Sequence, residues 1–208
     1  MKNNENKNDR KFDKWSSTIS ITKLITECRN SSFAKPSHTV NIDLETFIKS
    51  MTLYTHSFAD VLQREKMTSE EFLTFVTPEF QRSNDKWSKK MKVSFIENLL
   101  KGAKTNLLLF KMEDEDDSKI LDGLQRTTAI LDFIDGKIKP FGFTFSELNK
   151  DNQLRKFRVK LTISIYRFNA LSEVGSFYIE MNENITHSKK DIQKAKDWFL
   201  DKSNTIEI

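Results

Sequence analysis

Cysteine is nearly absent from this sequence of 208 residues. The single cysteine, Cys28, has no partner for an internal disulfide, and no cysteine pair or cysteine–histidine cluster offers a zinc site. No segment approaches the roughly 18 consecutive apolar residues that a membrane-spanning helix needs, and residues 1–14 lack an apolar signal core. These absences argue against a disulfide-stapled secreted fold, a structural zinc domain and a membrane protein. We therefore expect a cytoplasmic location.

Glycine and proline are also scarce, at five and three residues. There is no Gly/Ser linker, internal repeat or heptad array. Hydrophobic residues make up 37% of the chain and include 17 phenylalanines, which is enough to build one hydrophobic core. We predict a flexible polar arm over residues 1–14 and a single domain over residues 15–208. The net charge of +4 permits contact with nucleic acid but does not require it.

Apolar spacing predicts a chain of alternating helices and strands. We expect one or two helices between residues 42 and 66, a loop at Pro78, and an amphipathic helix from Trp87 that stops at Gly102. The remaining predicted elements are a hairpin of strands 106–112 and 119–121, a helix over 127–134, a half-buried strand over 160–166, and helices over 172–181 and 189–200. This mixture predicts an α+β fold with a helical C-terminal part.

The strongest local signal is the segment ILDGLQRTT at residues 120–128, which lies where a strand runs into a helix. Gly123 lets the backbone approach an anion closely, the unpaired amides of the first helical turn point at it, and Arg126 can bind two oxygens at once. Asp122 can hold Mg²⁺ or orient a water molecule. The simpler alternative is a helix capped by Asp122 with Arg126 on its surface.

A second Gln-Arg pair, Gln81-Arg82, follows the proline loop and precedes an aromatic-rich helix. Two such pairs in loops suggest a shared polar site for a phosphate-bearing ligand.

Three segments in order resemble the DUF262 family, known from GmrSD-type modification-dependent restriction enzymes. PEFQR at residues 78–82 with Trp87, DGLQRTT at 122–128 and FYIEMN at 177–182 are similar to the family's successive motifs. The resemblance extends over roughly residues 43–200, and three motifs in order are far more specific than one.

The resemblance implies a ParB/sulfiredoxin-like α+β core with a small mixed sheet and flanking helices. It also implies binding and hydrolysis of a nucleoside triphosphate with Mg²⁺, GTP being favoured, coupled to recognition of modified or phosphorothioated DNA. The implied nucleotide-binding residues are Gln81, Arg82, Gly123 and Arg126, the implied catalytic residues are Asp122, Gln125 and Arg126, and Asp122 is the implied metal ligand.

The sequence departs from the family pattern at several positions. Leu124 replaces the first glutamine of the family's Asp-Gly-Gln-Gln-Arg motif, which removes an amide and weakens the expectation of hydrolysis more than that of binding. Phe80 stands where the family often has tyrosine, and the spacing to Trp87 is a residue longer, so recognition of a DNA modification is expected to be altered or absent.

Other candidate features have simpler explanations. Lys86, Lys89 and Lys90 are candidate DNA contacts, although a solvated helix face explains such a run more often. The segment GAKT at residues 102–105 lacks the upstream glycine of a Walker site. The acidic run over residues 113–117 is expected to be a solvated turn.

The three histidines, His38, His56 and His187, are expected in surface or loop positions, and none has the context of a metal nuclease. DNA cleavage would therefore need a nuclease partner in trans.

Two functions remain open from the sequence. The first is a nucleotide-binding DNA sensor in restriction or phage defence, with Arg82 and Arg126 on the phosphates. The second is a ParB-like DNA-binding scaffold without turnover, which Leu124 favours. Neither needs a membrane, and the oligomeric state stays open.

Overall fold

The computed structural model describes residues 36–43, 68–113, 118–150, 160–183 and 187–205. All of them belong to the unit that spans residues 35–208. The predicted polar arm and its boundary with the domain lie outside the described residues, as does most of the predicted helical stretch between residues 42 and 66.

The start of that helical prediction is wrong, because Ile42 lies in strand β1, His38–Asp43. In that strand Ile42 pairs with Leu161 of a neighbouring strand. Val40 and Ile42 alternate with polar residues, which is the period of a strand.

The sheet has four strands in the order β1, β4, β2, β3. The other three strands are β2 (Asn106–Met112), β3 (Ser118–Asp122) and β4 (Lys160–Phe168). β2 and β3 form the predicted antiparallel hairpin, β1 pairs antiparallel with β4, and β2 runs parallel to β4. The prediction of a small mixed sheet is confirmed.

Six α-helices and a short 3₁₀ helix, Pro140–Gly142, surround the sheet in the described part of the chain. The helices are α1 (Ser69–Val76), α2 (Lys89–Leu100), α3 (Leu124–Ile134), α4 (Phe145–Leu148), α5 (Leu171–Asn182) and α6 (Lys189–Thr205). α2 begins where the Ser88 side chain accepts a hydrogen bond from the Met91 N–H, 3.3 Å away. The helices predicted from residue 87 onward are confirmed.

Two hydrophobic cores lie on opposite faces of the sheet, because alternate residues of a strand point to opposite faces. One core joins Leu107, Leu109 and Ile163 to α1, α2 and α3. The other joins Leu108 and Phe110 to α5 and α6. The sheet is therefore sandwiched between two helical layers, and the α+β class is confirmed.

Strand β4 is more buried than its alternating sequence predicts. Leu161, Ile163 and Ile165 are buried as expected, but Ser164 is also only 5% exposed. β4 lies between β1 and β2, so both of its edges are paired, and its residues contribute to both hydrophobic cores. The Ser164 hydroxyl is satisfied there by Thr39 and Asn106.

Two features of this fold position the polar loops. Strand β3 leads directly into α3, and the loop after Pro78 lies against that junction before α2 begins. In the described part of the chain, no helix is both long and apolar enough to cross a membrane.

Candidate functional site

A cleft of about 440 Å³ opens where β3 meets α3. Its walls come from the loop after Pro78, the start of α2, the junction of β3 with α3, and the residues that precede α6. The lining residues are Gln81, Arg82, Lys86, Trp87, Met91, Asp122, Gly123, Leu124, Gln125, Arg126 and His187. The structure thus brings both Gln-Arg pairs to one site, as their shared chemistry predicted.

Gly123 makes the junction possible. It precedes the first residue of α3 and has φ 108° and ψ 12°, a left-handed conformation that glycine adopts without steric cost. A Cβ at this position would lie 2.7 Å from Leu107 Cδ2. The close packing of the junction on β2 therefore requires a residue without a side chain.

The Asp122 side chain does not cap α3, so that simpler alternative is wrong. Gly123 occupies the capping position and makes no side-chain cap hydrogen bond. The Asp122 carboxylate instead forms an ion pair with Arg126, one helical turn later. The Arg126 guanidinium also donates to the Asn106 carbonyl oxygen, so it lies across the mouth of the β3–α3 junction.

Gln125 connects α3 to the loop that forms the opposite wall. Its amide nitrogen donates to the Ser83 carbonyl at 3.0 Å, and its amide oxygen accepts from the Trp87 N–H at 3.0 Å. The side chain is only 4% exposed. The predicted catalytic amide is thus engaged with backbone groups and holds the loop in place.

Gln81 connects the same loop to the sheet. Its amide nitrogen donates to the carbonyl oxygens of Ile120 and Leu121, at 3.1 and 2.8 Å. Its amide oxygen accepts from the Tyr178 hydroxyl at 3.4 Å. Lys194 of α6 donates to the Gln81 carbonyl at 3.1 Å. Gln81 therefore positions Arg82 relative to the end of β3.

His187 extends this hydrogen-bond chain into the cleft. Its Nε2 lies 3.0 Å from the Tyr178 hydroxyl. Burial, reinforced by the positive charge of Arg82, lowers the pKa of His187 to about 4, against the effect of Asp191 and Asp122. Burial likewise raises the pKa of Tyr178 well above its usual range. Both groups are therefore neutral at pH 7.

The predicted DNA-contacting lysines divide into two kinds. Lys86 lines the cleft and lies 3.6 Å from an oxygen of Asp191, at the start of α6. Although burial opposes it, hydrogen bonds from Ser188 and the charge of Lys86 lower the pKa of Asp191.

Lys89 and Lys90 are exposed in the first turn of α2, outside the cleft lining. Lys92, one turn further, is ion-paired with Asp132 at 2.7 Å.

The cleft offers one carboxylate as a possible metal ligand. Of the described residues that line it, Asp122 is the only carboxylate. Nowhere in the described ranges do three or more His, Cys, Asp or Glu side chains cluster as a metal site. Mg²⁺ keeps several waters and commonly binds through one or two carboxylates together with substrate phosphates. Asp122 therefore fits an Mg²⁺ ion that arrives with a polyphosphate.

A wider groove of about 870 Å³ lies on the other side of the same loop. Gln81, Arg82 and Leu124 line both spaces. The groove is larger, but the cleft contains Asp122, Gly123 and Arg126, so the phosphate-directed residue types converge in the cleft.

The fold and the site together define an α+β domain with a polar cleft between two Gln-Arg pairs, one in a loop and one in α3, beside a strand–Asp-Gly–helix junction. Residues 58–207 match the family model described as the GmrSD restriction endonuclease, N-terminal domain, and the chain belongs to that family. The recognition of this family from the three motifs is confirmed. No curated protein and no solved structure matches the chain.

Several residues at the site were not among the sequence-based candidates, and two of them, Tyr178 and His187, form its buried hydrogen-bond chain. His187 was expected in a surface or loop position, and it does lie between α5 and α6, but it lines the cleft. Tyr178 lies within the FYIEMN motif yet carried no assigned role, and it is 1% exposed behind His187. The motif marked the right region, whereas the contact of Tyr178 with His187 depends on how α5 packs against the loop.

Proposed function

We propose that this domain binds a nucleoside triphosphate with Mg²⁺ in the cleft, with GTP favoured, and acts as a DNA-sensing module in restriction or phage defence. The observation that carries the proposal is the convergence of Arg82, Arg126, Asp122 and the Gly123 junction on one cleft. DNA cleavage would belong to a nuclease partner.

The phosphate groups have a natural place in the cleft. The first amides of α3 have no side-chain cap, and a helix N-terminus favours negative charge. Arg126 and Arg82 add charged donors, and Arg126 can bind two phosphate oxygens at once. To do so Arg126 would exchange its ion pair with Asp122 for the phosphates, which would free the carboxylate for Mg²⁺ or a water molecule.

The nucleobase would lie at the other end of the cleft. Trp87 is half-buried against Phe95, with ring centroids 5.4 Å apart, and Met91 is 49% exposed beside it. An aromatic ring and a polarisable thioether give a flat apolar surface on which any base can stack. This surface supports nucleotide binding without selecting one base, so the preference for GTP in the proposal comes from the family resemblance alone.

Hydrolysis would transfer the terminal phosphoryl group to water and release the nucleoside diphosphate and phosphate. In this proposal Mg²⁺ and the arginines offset the charge on the phosphate oxygens, and Asp122 orients the attacking water. Gln125 would act by holding the loop between Pro78 and α2 in place, since its side-chain amide bonds the Ser83 carbonyl and the Trp87 N–H.

Binding of GTP, ATP and CTP, measured by calorimetry with and without Mg²⁺, tests the proposal, with phosphate release measured in parallel. We expect Arg126→Ala to weaken binding by about 10- to 100-fold, since it removes charged hydrogen bonds. The matched control is Arg167→Ala, which removes the same charge from an exposed ion pair with Glu113 on the sheet. Equal affinities of wild type and Arg126→Ala for every nucleotide would contradict the proposal.

A second candidate, a DNA-binding scaffold without turnover, is favoured by a different observation. In this structure Arg126 is paired with Asp122, and both Gln side chains are bonded within the protein. A scaffold would bind DNA with an affinity that does not change when nucleotide is added and that falls steeply as the salt concentration rises. A nucleotide sensor would instead change its DNA affinity when Mg²⁺ and nucleotide are added.

A further inference from the structure

The Tyr178 side chain carries a hydroxyl into the core beside α5 and α6. The residue is 1% exposed, and its ring packs edge-on against Phe80, with the ring centroids 4.9 Å apart. Burying a hydroxyl costs free energy unless the group is hydrogen-bonded. A phenylalanine would fill nearly the same volume without that cost, so packing alone does not account for the tyrosine.

The hydroxyl bonds three groups that belong to the cleft. It donates to the Gln81 side-chain oxygen at 3.4 Å and lies 3.0 Å from His187 Nε2. It also accepts a hydrogen bond from the Arg82 backbone N–H. All three partners line the cleft, whereas Tyr178 itself does not. One buried oxygen atom therefore joins the loop before α2 to the segment that precedes α6.

The hydroxyl has only one hydrogen atom, and this determines which nitrogen of His187 carries a proton. Gln81 directs its amide nitrogen at the carbonyls of Ile120 and Leu121, so its side-chain oxygen faces the hydroxyl as an acceptor. The hydroxyl hydrogen points to that oxygen. His187 Nε2 must then donate to the hydroxyl oxygen, because two acceptors would repel each other at 3.0 Å. The contacts therefore predict a proton on His187 Nε2.

We infer that Tyr178 is a positioning residue of the site, which holds the Arg82 backbone and the His187 ring in place through its hydroxyl. The inference rests on the proposed function, in which Arg82 meets the phosphates. An anion binds more tightly to a guanidinium whose backbone is already ordered, because less conformational freedom is lost on binding. Tyr178 would thus act on the ligand through Arg82, without touching the ligand.

The simpler alternative is a hydroxyl that only stabilises the core. The two roles differ in their dependence on Arg82. A hydroxyl that positions the Arg82 guanidinium has nothing left to position once that guanidinium is removed. A hydroxyl that only supports the fold would contribute the same amount to ligand affinity whether or not the guanidinium is present.

The test is a double-mutant cycle in which calorimetry measures the affinity for GTP with Mg²⁺. Tyr178→Phe keeps the ring and removes the hydroxyl, and we expect it to weaken binding by about tenfold. In the Arg82→Ala background the same change should weaken binding by less than about twofold. The matched control is Tyr166→Phe, which removes a hydroxyl from a tyrosine that packs against the same core outside the cleft lining and should leave the affinity unchanged.

Two measurements on the free protein need no nucleotide. Nitrogen NMR of the wild type should find the His187 proton on Nε2. Hydrogen exchange of the Arg82 amide should be faster in Tyr178→Phe than in Tyr166→Phe, while amides of β4 keep their protection. The NMR measurement uses the wild type, so it remains decisive even if a variant folds poorly.

Three results would overturn the inference alone, in a wild type that binds nucleotide. The first is an equal loss of affinity from Tyr178→Phe with and without the Arg82 side chain. The second is an Arg82 amide that exchanges equally fast in both tyrosine variants. The third is a neutral His187 whose proton lies on Nδ1. A wild type that binds none of GTP, ATP and CTP would instead overturn the proposed function, and this inference with it.

Discussion

At the scale of single residues, several side chains that line the cleft are already hydrogen-bonded or ion-paired within the protein. Gln81 and Gln125 bond backbone groups, and Asp122 bonds Arg126. Of these four side chains, only Arg126 and Asp122 can change partners without releasing the loop that forms the cleft. This separates the residues that would touch a ligand from those that position them.

Gly123→Ala should destabilise the fold by about 2–4 kcal/mol, because it adds left-handed strain to a steric clash with Leu107. The matched control is Gly136→Ala, where φ is 72° and a Cβ would meet no atom within 4 Å. That variant carries the conformational cost alone, about 1 kcal/mol. Urea unfolding of both proteins measures the difference, and equal losses would show that the contact with Leu107 is unimportant.

His187 should make stability depend on pH. Burial lowers its pKa from the ordinary 6.5 to about 4 in the folded protein. Between these values the unfolded chain binds a proton that the folded protein does not, so stability falls as pH falls through this window. Because solvent reaches the half-buried ring, we expect a loss of only about 1–2 kcal/mol.

Urea unfolding at several pH values between about 4 and 7, which spans the folded and ordinary pKa of His187, measures this effect. In His187→Gln the group that titrates is gone, so the pH dependence should be shallower than in the wild type. An NMR titration that finds His187 protonated at pH 6 in the folded protein would contradict the assignment.

At the scale of secondary-structure elements, α3 organises the site through its N-terminal end, which carries Gly123, Gln125 and Arg126. The loop between Pro78 and α2 has no regular structure of its own. It is held by Gln81 from the sheet side and by Gln125 from the helix side.

Gln125→Ala should loosen this loop more than it loosens the core. It leaves the Ser83 carbonyl and the Trp87 N–H without their partner, which should cost about 1–3 kcal/mol. Hydrogen exchange of the Trp87 amide should accelerate, while amides of the central strand β4 keep their protection. Gln125→Glu retains the acceptor for Trp87 and should exchange more slowly there than Gln125→Ala.

The N-terminal turn of α2 is the predicted DNA-contacting element. If Lys89 and Lys90 neutralise phosphates, the double alanine variant should bind duplex DNA more weakly at low salt. The slope of log affinity against log salt should fall by about 1–2 units. Lys92→Ala is the contrasting variant, because Lys92 is ion-paired with Asp132 and should affect stability instead. An unchanged slope in the double variant would remove these lysines from the interface.

At the scale of the whole molecule, two cores share one sheet. Leu108 and Phe110 face α5 and α6, while Leu107 and Leu109 face α1 to α3. Phe80 links the polar loop to the second core, where it lies 4.9 Å from Tyr178 and 4.7 Å from Phe199 between ring centroids. A tyrosine at this position would bury its hydroxyl, so the phenylalanine suits the packing.

The two cores should unfold in one transition, because every strand contributes to both faces or pairs with one that does. Trp87 packs against the first core and Trp198 against the second. Fluorescence of single-tryptophan variants, with the other tryptophans changed to phenylalanine, should give coincident urea midpoints. Midpoints that differ between Trp87 and Trp198 would show that the helical layers unfold separately.

The sequence by itself determined the helices after residue 87, the β2–β3 hairpin, the α+β class and the family. Those features depend on local periodicity and on motifs whose residues are close in the chain. It also identified the two Gln-Arg pairs as members of one site.

Tertiary structure decided what each member of that site does. Strand β1 was missed because its pairing with β4 joins residues more than a hundred positions apart, such as Ile42 and Leu161. The roles of Gln81, Gln125, Tyr178 and His187 likewise follow from contacts between distant segments. Hydrogen-bond partners of this kind are set by packing, which a linear pattern of residue types does not contain.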